Sequence, residues 1–168
     1  MKENSRAGQI EIVPAEGREK EVLALMKEYV GWLMENDDMM AEVLKNQHLE
    51  EELADIAGKY APPEGRFYVA LKGAVPVGCA ALCKLEDGIC EAKRLYVTPA
   101  ARGLKAGRLL MEKIVEEART IGYAKMRLDS FPFMEAAVSM YGGFGFRPIE
   151  NYNGNPSDNA LFFELDLI

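Results

Sequence analysis

The sequence predicts an α/β (α+β) fold, a single domain whose mixed, mostly antiparallel central sheet is flanked by helices. Three observations predict it. The apolar pattern switches between period two and the three-and-four spacing of helices several times along the chain. Three strand-like segments in the middle follow one another through turns too short for a crossover, which makes them an antiparallel meander. After them come a glycine-containing loop, a long amphipathic helix and another strand, an order that sets the two strands flanking the helix parallel.

Taken in order, residues 1–8 are polar and expected to form a mobile tail, so that the domain spans residues 9–168. Gln9 to Val13 alternates as a first strand before Pro14. From Gly17 to Asn36, Val22, Leu25, Met26, Tyr29 and Leu33 recur at helical spacing. Asp38 to Tyr60 reads as one further helix, with Val43, Leu44, Leu49, Leu53 and Ile56 on its apolar side, and Pro62-Pro63-Glu64-Gly65 ends it. Arg66–Lys72, Val75–Leu85 and Ile89–Val97 are the meander, turning at Lys72-Gly73 and Asp87-Gly88. Leu104, Gly107, Leu110, Met111, Ile114, Ala118 and Ile121 mark the long helix, stopped by Gly122. Lys125–Ser130 is a short strand, Met134–Tyr141 a helix, and Phe146–Glu150 and Ala160–Leu167 the last two strands. The element order is β-αα-βββ-α-β-α-ββ.

At 168 residues the chain is long enough to bury a core, and 49% hydrophobic with 28% charged residues is the composition of a globular protein. A net charge of −7 argues against a nucleic-acid partner, because phosphate backbones attract a basic surface. Apolar runs are broken well short of a membrane span and the first residues lack a secretory core, so neither membrane nor secretion is expected, and the expected location is cytoplasmic. Cys79, Cys83 and Cys90 lie in strand-like segments without paired spacing. They are expected to be buried thiols, with no disulfide framework and no metal site.

The richest stretch is Thr98 to Met111, TPAARGLKAGRLLM. It brings Arg102, Gly103, Gly107 and a run of free backbone amides to a helix start, a combination suited to phosphate. About thirty residues on stand Ala137-Val138-Ser139-Met140-Tyr141 and Phe144-Gly145-Phe146. The pair resembles the signature of the GNAT acyltransferases, whose coenzyme loop follows Q/R-x-x-G-x-G/A and whose later helix carries A-x-x-x-Y before a G-F pair. Arg102, Gly107, Ala137, Tyr141, Gly145 and Phe146 fall on that pattern. Lys105 stands where the loop usually has its first glycine, and Met134 where the later helix often has an asparagine. The turn-rich loop Glu150–Pro156 looks like that of a bacterial subgroup of undefined substrate, where it would close over the acceptor side.

The resemblance implies acetyl-CoA as acyl donor, held between two splayed parallel strands, Ile89–Val97 and Lys125–Ser130. Leu95, Tyr96 and Val97 would meet the pantetheine arm, and Arg102, Gly103, Leu104, Lys105, Ala106, Gly107 and Arg108 the pyrophosphate. It implies direct transfer in a ternary complex to a primary amine of a small molecule or peptide, and homodimers are common among such proteins. That chemistry needs a neutral amine, a stabilised oxyanion and a proton for the leaving thiolate. Glu91 matches the position of a glutamate base, Tyr141 would serve the departing sulfur as well as line the coenzyme site, and a strand amide near Leu95 would hold the oxyanion. Asp129, ending its strand beside the cleft, is a further candidate for substrate contact. By alternation Lys93 and Arg94 point to opposite faces, and the buried one needs a carboxylate partner. His48, the only histidine, lacks the neighbours of a nucleophilic site. Trp32 and Met26, Met34, Met39 and Met40 gather where the acceptor pocket would have its wall. Two other classes fit the same loop: a catalytically silent acyl-CoA-binding or sensing module, and a coenzyme-free interaction domain.

Overall fold

The computed structural model describes residues 8–168. The expected tail therefore lies, apart from Gly8, outside the described residues. The chain runs β1 (Ile10–Pro14), α1 (Glu19–Asn36), α2 (Met40–Asn46), α3 (Leu49–Ala54), α4 (Ile56–Lys59), β2 (Arg66–Lys72), β3 (Val75–Glu86), β4 (Ile89–Val97), a 3-10 turn (Pro99–Ala101), α5 (Ala106–Ile121), β5 (Lys125–Ser130), α6 (Glu135–Phe144), β6 (Arg147–Ile149) and β7 (Leu161–Asp166). One seven-stranded sheet in the order β1-β2-β3-β4-β5-β7-β6 organises them, antiparallel throughout except where β4 meets β5.

Each face of the sheet has its own core. Tyr68, Ala80, Leu82, Cys90, Met126, Leu128 and Phe163 point to one side, where α5 lays down Leu110, Met111, Ile114 and Ala118 and α6 adds Tyr141. Val69, Cys79, Ala81 and Tyr96 point to the other and meet Val22, Met26, Tyr29 and Leu33 of α1, with Met40, Val43 and Leu44 of α2. α5 ends as its sequence requires: Gly122 adopts φ +106, and Gly122 and Tyr123 both donate to the Ala118 carbonyl.

The expected single helix from Asp38 to Tyr60 is instead three short ones. His48 stands in the left-handed region at φ 57 and ψ 43, and Asp55 leaves the helical region while its side chain accepts from the Gly58 amide. The apolar spacing survives both breaks because Leu49 and Ile56 still reach the core, so periodicity alone could not reveal them. Of the methionines grouped with Trp32, Met26 and Met40 are fully buried, whereas Met34 and Met39 are exposed. Cys79 and Cys90 are buried free thiols and Cys83 is half-buried; Cys79 donates to the Arg94 carbonyl and Cys90 to that of Lys125. Burial pushes all three up, to about 12, 11 and 12 for Cys79, Cys83 and Cys90. Among the described residues no helix is long and apolar enough to cross a membrane.

Candidate active site

β4 and β5 pair over only three positions, Ile89↔Lys125, Cys90↔Met126 and Glu91↔Arg127, and then part. From Ala92 onward β4 keeps its partner β3 on one side and faces a cavity of about 540 Å³ on the other. Its backbone groups on that side have no strand to bond, a cost that persists only where a ligand or water meets them.

A bulge shapes this part of β4. Cys79 opposes Tyr96 and Ala81 opposes Lys93, so Arg94 and Leu95 share the single residue Ala80 as partner, and Arg94 takes φ +63. The extra residue shifts the alternation: Lys93 and Arg94 lie on the same face, not opposite ones, while Leu95 and Val97 rejoin Ala92 on the α5 side. Arg94 is buried and bidentate on Glu52 of α3, Nε to Oε2 at 2.7 Å and Nη2 to Oε1 at 2.9 Å, and its Nη1 donates to Gln47. Burial alone would raise the Glu52 carboxyl, but the hydrogen bonds and charge of Arg94, with Lys59 and Lys93, outweigh it and hold the group near 2. The required partner of the buried cation is thus a protein carboxylate. Nothing in the sequence around Glu52 marked it for this role.

Beyond β4 the 3-10 turn and residues 102–105 lead into α5. Gly103 at φ +85 and Lys105 at φ +64 turn the chain so that the helix begins facing the cavity mouth. The first return bond of α5 is Leu109 N–H to the Lys105 carbonyl, and no side chain caps the helix, so the amides of Ala106, Gly107 and Arg108 donate to nothing among the described residues. Lys105 itself occupies a left-handed conformation that glycine adopts freely, which is the physical reason for glycine in the expected pattern. Leu95, Tyr96, Val97, Arg102, Gly103, Lys105, Ala106, Gly107, Arg108 and Tyr141 all line the cavity; Leu104 is exposed and outside it. The cations are already engaged in part. The Arg102 guanidinium lies 5.3 Å from the centre of the Trp32 ring, and Arg108 bonds Glu112 at 3.1 Å.

Tyr141 enters from α6, braced by Phe146 and Phe163. Burial first, then the neighbouring Tyr29 and Asp129, push its phenol well above the ordinary value, so it stays protonated at neutral pH. Asp129 lines the same cavity at the end of β5. The segment 151–157 is a chain of Asx turns, Asn151 Oδ1 accepting from the amides of 153 and 154, Asn153 Oδ1 from 155, and Asn155 Oδ1 from 157. These turns aim the Nδ2 groups of Asn153 and Asn155 at Asp129 Oδ2, at 2.8 and 3.2 Å. The same loop sends the Tyr152 hydroxyl to Glu91 Oε2 at 2.6 Å, while Glu91 Oε1 lies 3.4 Å from Lys93 Nζ. Glu91 is buried behind the cavity wall, which Lys93 forms in front of it. The composition of residues 150–156 marked a turn; the direction of its side chains came from pairings far apart in sequence. His48 is exposed and, among the described residues, pairs with Glu51. No group of three or more metal-capable side chains exists among the described residues.

A parted parallel strand pair leads into an uncapped helix N-terminus, with a buried tyrosine lining the same cavity, an arrangement chemically suited to an extended, anion-bearing ligand. The chain belongs to the acetyltransferase (GNAT) family, whose model matches residues 24–146. It is 39% identical over 123 residues to an uncharacterized N-acetyltransferase of Schizosaccharomyces pombe, covering 72% of this chain and 76% of that one. Its fold is similar to a GNAT acetyltransferase from Staphylococcus aureus Mu50, with TM-score 0.75 and 21% identity over 95% of this chain and 99% of that one. It is also similar to the PaiA N-acetyltransferase from Thermoplasma acidophilum solved with coenzyme A, with TM-score 0.72 and 18% identity over 94% and 99%.

Proposed function

We propose that this acetyltransferase moves the acetyl group of acetyl-CoA to a primary amine by direct transfer. One observation carries the reading: the unpaired edge of β4 and, past the 3-10 turn and residues 102–105, the unpaired amides of Ala106, Gly107 and Arg108 border the same cavity and offer main-chain donors and acceptors to pantetheine and pyrophosphate. The acetyl-CoA complex supplies an activated thioester; the remaining work falls to the chain. β4 orients the thioester arm through Leu95 and Val97, and the bulge after Arg94 presents the Leu95 amide as an oxyanion donor. Tyr141, kept protonated, gives its hydroxyl proton or a hydrogen bond to the leaving sulfur. Glu91, standing behind Lys93, takes the amine's proton through a water relay rather than by contact. The Thermoplasma acidophilum fold neighbour was solved with coenzyme A, which supports a coenzyme A thioester as the donor.

Thermal unfolding with acetyl-CoA, against ATP and NAD as controls, tests it. At about a hundred times its Kd, acetyl-CoA adds about 2.7 kcal/mol of stability, and free thiol then appears when an amine is supplied. A shift without thiol release from any amine would mark a silent binding module. No shift with millimolar acetyl-CoA would mark a coenzyme-free interaction domain.

A further inference from the structure

Among the described residues, five aromatic side chains from three parts of the chain converge on the cavity: Tyr29 and Trp32 from α1, Tyr96 from β4, and Phe131 and Phe133 from the segment after β5. They touch in series, Tyr29–Tyr96 at 5.3 Å, Trp32–Tyr96 at 6.0 Å, Trp32–Phe133 at 5.5 Å and Phe131–Phe133 stacked at 5.7 Å. A wall of this kind binds a flat apolar body by offset or edge-on ring contact. Charge at the cavity is arranged against it. Of the cations that line it, Lys93 and Arg94 are neutralised from behind by Glu91 and Glu52, whereas Arg102, Lys105 and Arg108 gather at the α5 mouth. Among the described residues two carboxylates line it, Asp129 and the exposed Glu135 at the start of α6. Asp129 is held through Oδ2 alone, by two neutral amides that leave its charge intact and its Oδ1 without a partner among the described residues. It lines the cavity together with Tyr29 and Tyr141.

We infer that the acceptor is a monoamine carried on an aromatic body, its ammonium anchored by Asp129 beside Tyr141 and its ring seated against Trp32, Phe131 and Phe133. A polyamine or aminoglycoside carries several positive charges into a cavity that offers one inner carboxylate and a cationic mouth, and is disfavoured by like-charge repulsion. A plain alkylamine satisfies Asp129 but leaves the aromatic wall uncovered. The inference rests on the amine-transfer reading above, and the test separates the two.

Trp32 is the chain's single tryptophan and stands in the proposed ring site, so its emission reports occupancy without turnover. With saturating coenzyme A, 2-phenylethylamine, n-butylamine and spermidine are titrated against Trp32 emission, and their kcat/KM values are measured by thiol release from acetyl-CoA. The expected result is that 2-phenylethylamine binds and reacts at least about tenfold better than n-butylamine, with spermidine poorest. D129N weakens 2-phenylethylamine about tenfold or more while retaining the acetyl-CoA thermal shift, which shows that it is folded. F133L narrows the preference over n-butylamine. Spermidine or n-butylamine equal to 2-phenylethylamine, or D129N binding it like the wild type, overturns the inference and leaves amine transfer standing. Absence of both the acetyl-CoA shift and thiol release with every amine overturns the transfer reading and the inference with it.

Discussion

Tyr141 shows how one residue acquires a chemical task from its surroundings. A phenol at the ordinary value of 10 is already protonated at neutral pH; burial beside Tyr29 and Asp129 raises it further, so the hydroxyl stays protonated and is kept as a hydrogen-bond donor for a leaving thiolate. Its ring is fixed by Phe146 and Phe163, so replacing the hydroxyl by hydrogen leaves the packing intact. Tyr141→Phe is expected to lower kcat by about a hundredfold in single-turnover measurements while the acetyl-CoA-induced thermal shift stays near the wild-type value. A parallel loss of coenzyme binding would make Tyr141 a coenzyme contact only. The residue was legible in sequence because A-x-x-x-Y and G-F lie close together along the chain. Asp129 was noticed, but its partners Asn153 and Asn155 stand 24 and 26 positions away, beyond any local pattern.

At the scale of elements, the start of α5 combines two demands that pull against each other. The helix must begin abruptly, with its first amides bare, and the residue before it must turn left-handed to allow this. Lysine at position 105 carries a steric cost of about 1–2 kcal/mol in that conformation, which glycine escapes at the expense of about 0.5–1 kcal/mol of extra chain entropy. Lys105→Gly is therefore expected to stabilise the ligand-free protein by about 0.5–1 kcal/mol, read as a Tm increase of about 1–4 °C. An unchanged or lower Tm would mean that the lysine side chain contributes packing or charge of similar size. Most elements were readable because each buries one face with its own period: α1 contains the expected apolar residues, α5 all of them except Leu104, which is exposed in the turn before the helix, and β4 runs over the predicted span. The failures share a cause. The breaks at His48 and Asp55 and the bulge at Arg94 are backbone events that keep core residues inward, so hydrophobic spacing does not register them.

For the whole molecule, the Glu52–Arg94 pair ties α3 to the middle of β4, and its titration belongs to the stability of the fold. The Glu52 carboxyl sits near 2 in the folded protein against an ordinary 4.5, so its contribution is present above about 4.5 and is lost as pH falls toward 2. The lowered carboxyls of Glu117, Glu164 and Asp166 act in the same direction, Glu164 chiefly through its hydrogen bond from Arg127. Denaturant unfolding is expected to show stability falling below pH 4.5, with about 3 kcal/mol of the fall traceable to Glu52. Glu52→Gln should lower stability at pH 7 by about 3–5 kcal/mol, since Arg94 is left buried with a neutral partner, and should flatten the acid limb. An acid limb unchanged by the substitution would assign the loss to Glu117, Glu164 and Asp166 instead.

The positions of the cysteines have a practical consequence for watching this protein at work. Cys79 lies under the bulge of β4 and Cys90 at the seam where β4 still holds β5, each donating to a carbonyl across a strand boundary. Their thiols, with that of Cys83, are raised far enough that almost none is thiolate at pH 8. A colorimetric disulfide reagent added to the folded protein should therefore stay colourless, responding only to coenzyme released by turnover, and should count three equivalents after denaturation. Slow colour in the absence of substrate then acquires a meaning of its own: it times the opening of the sheet on either side of β4, the strand expected to carry the coenzyme along its parted edge.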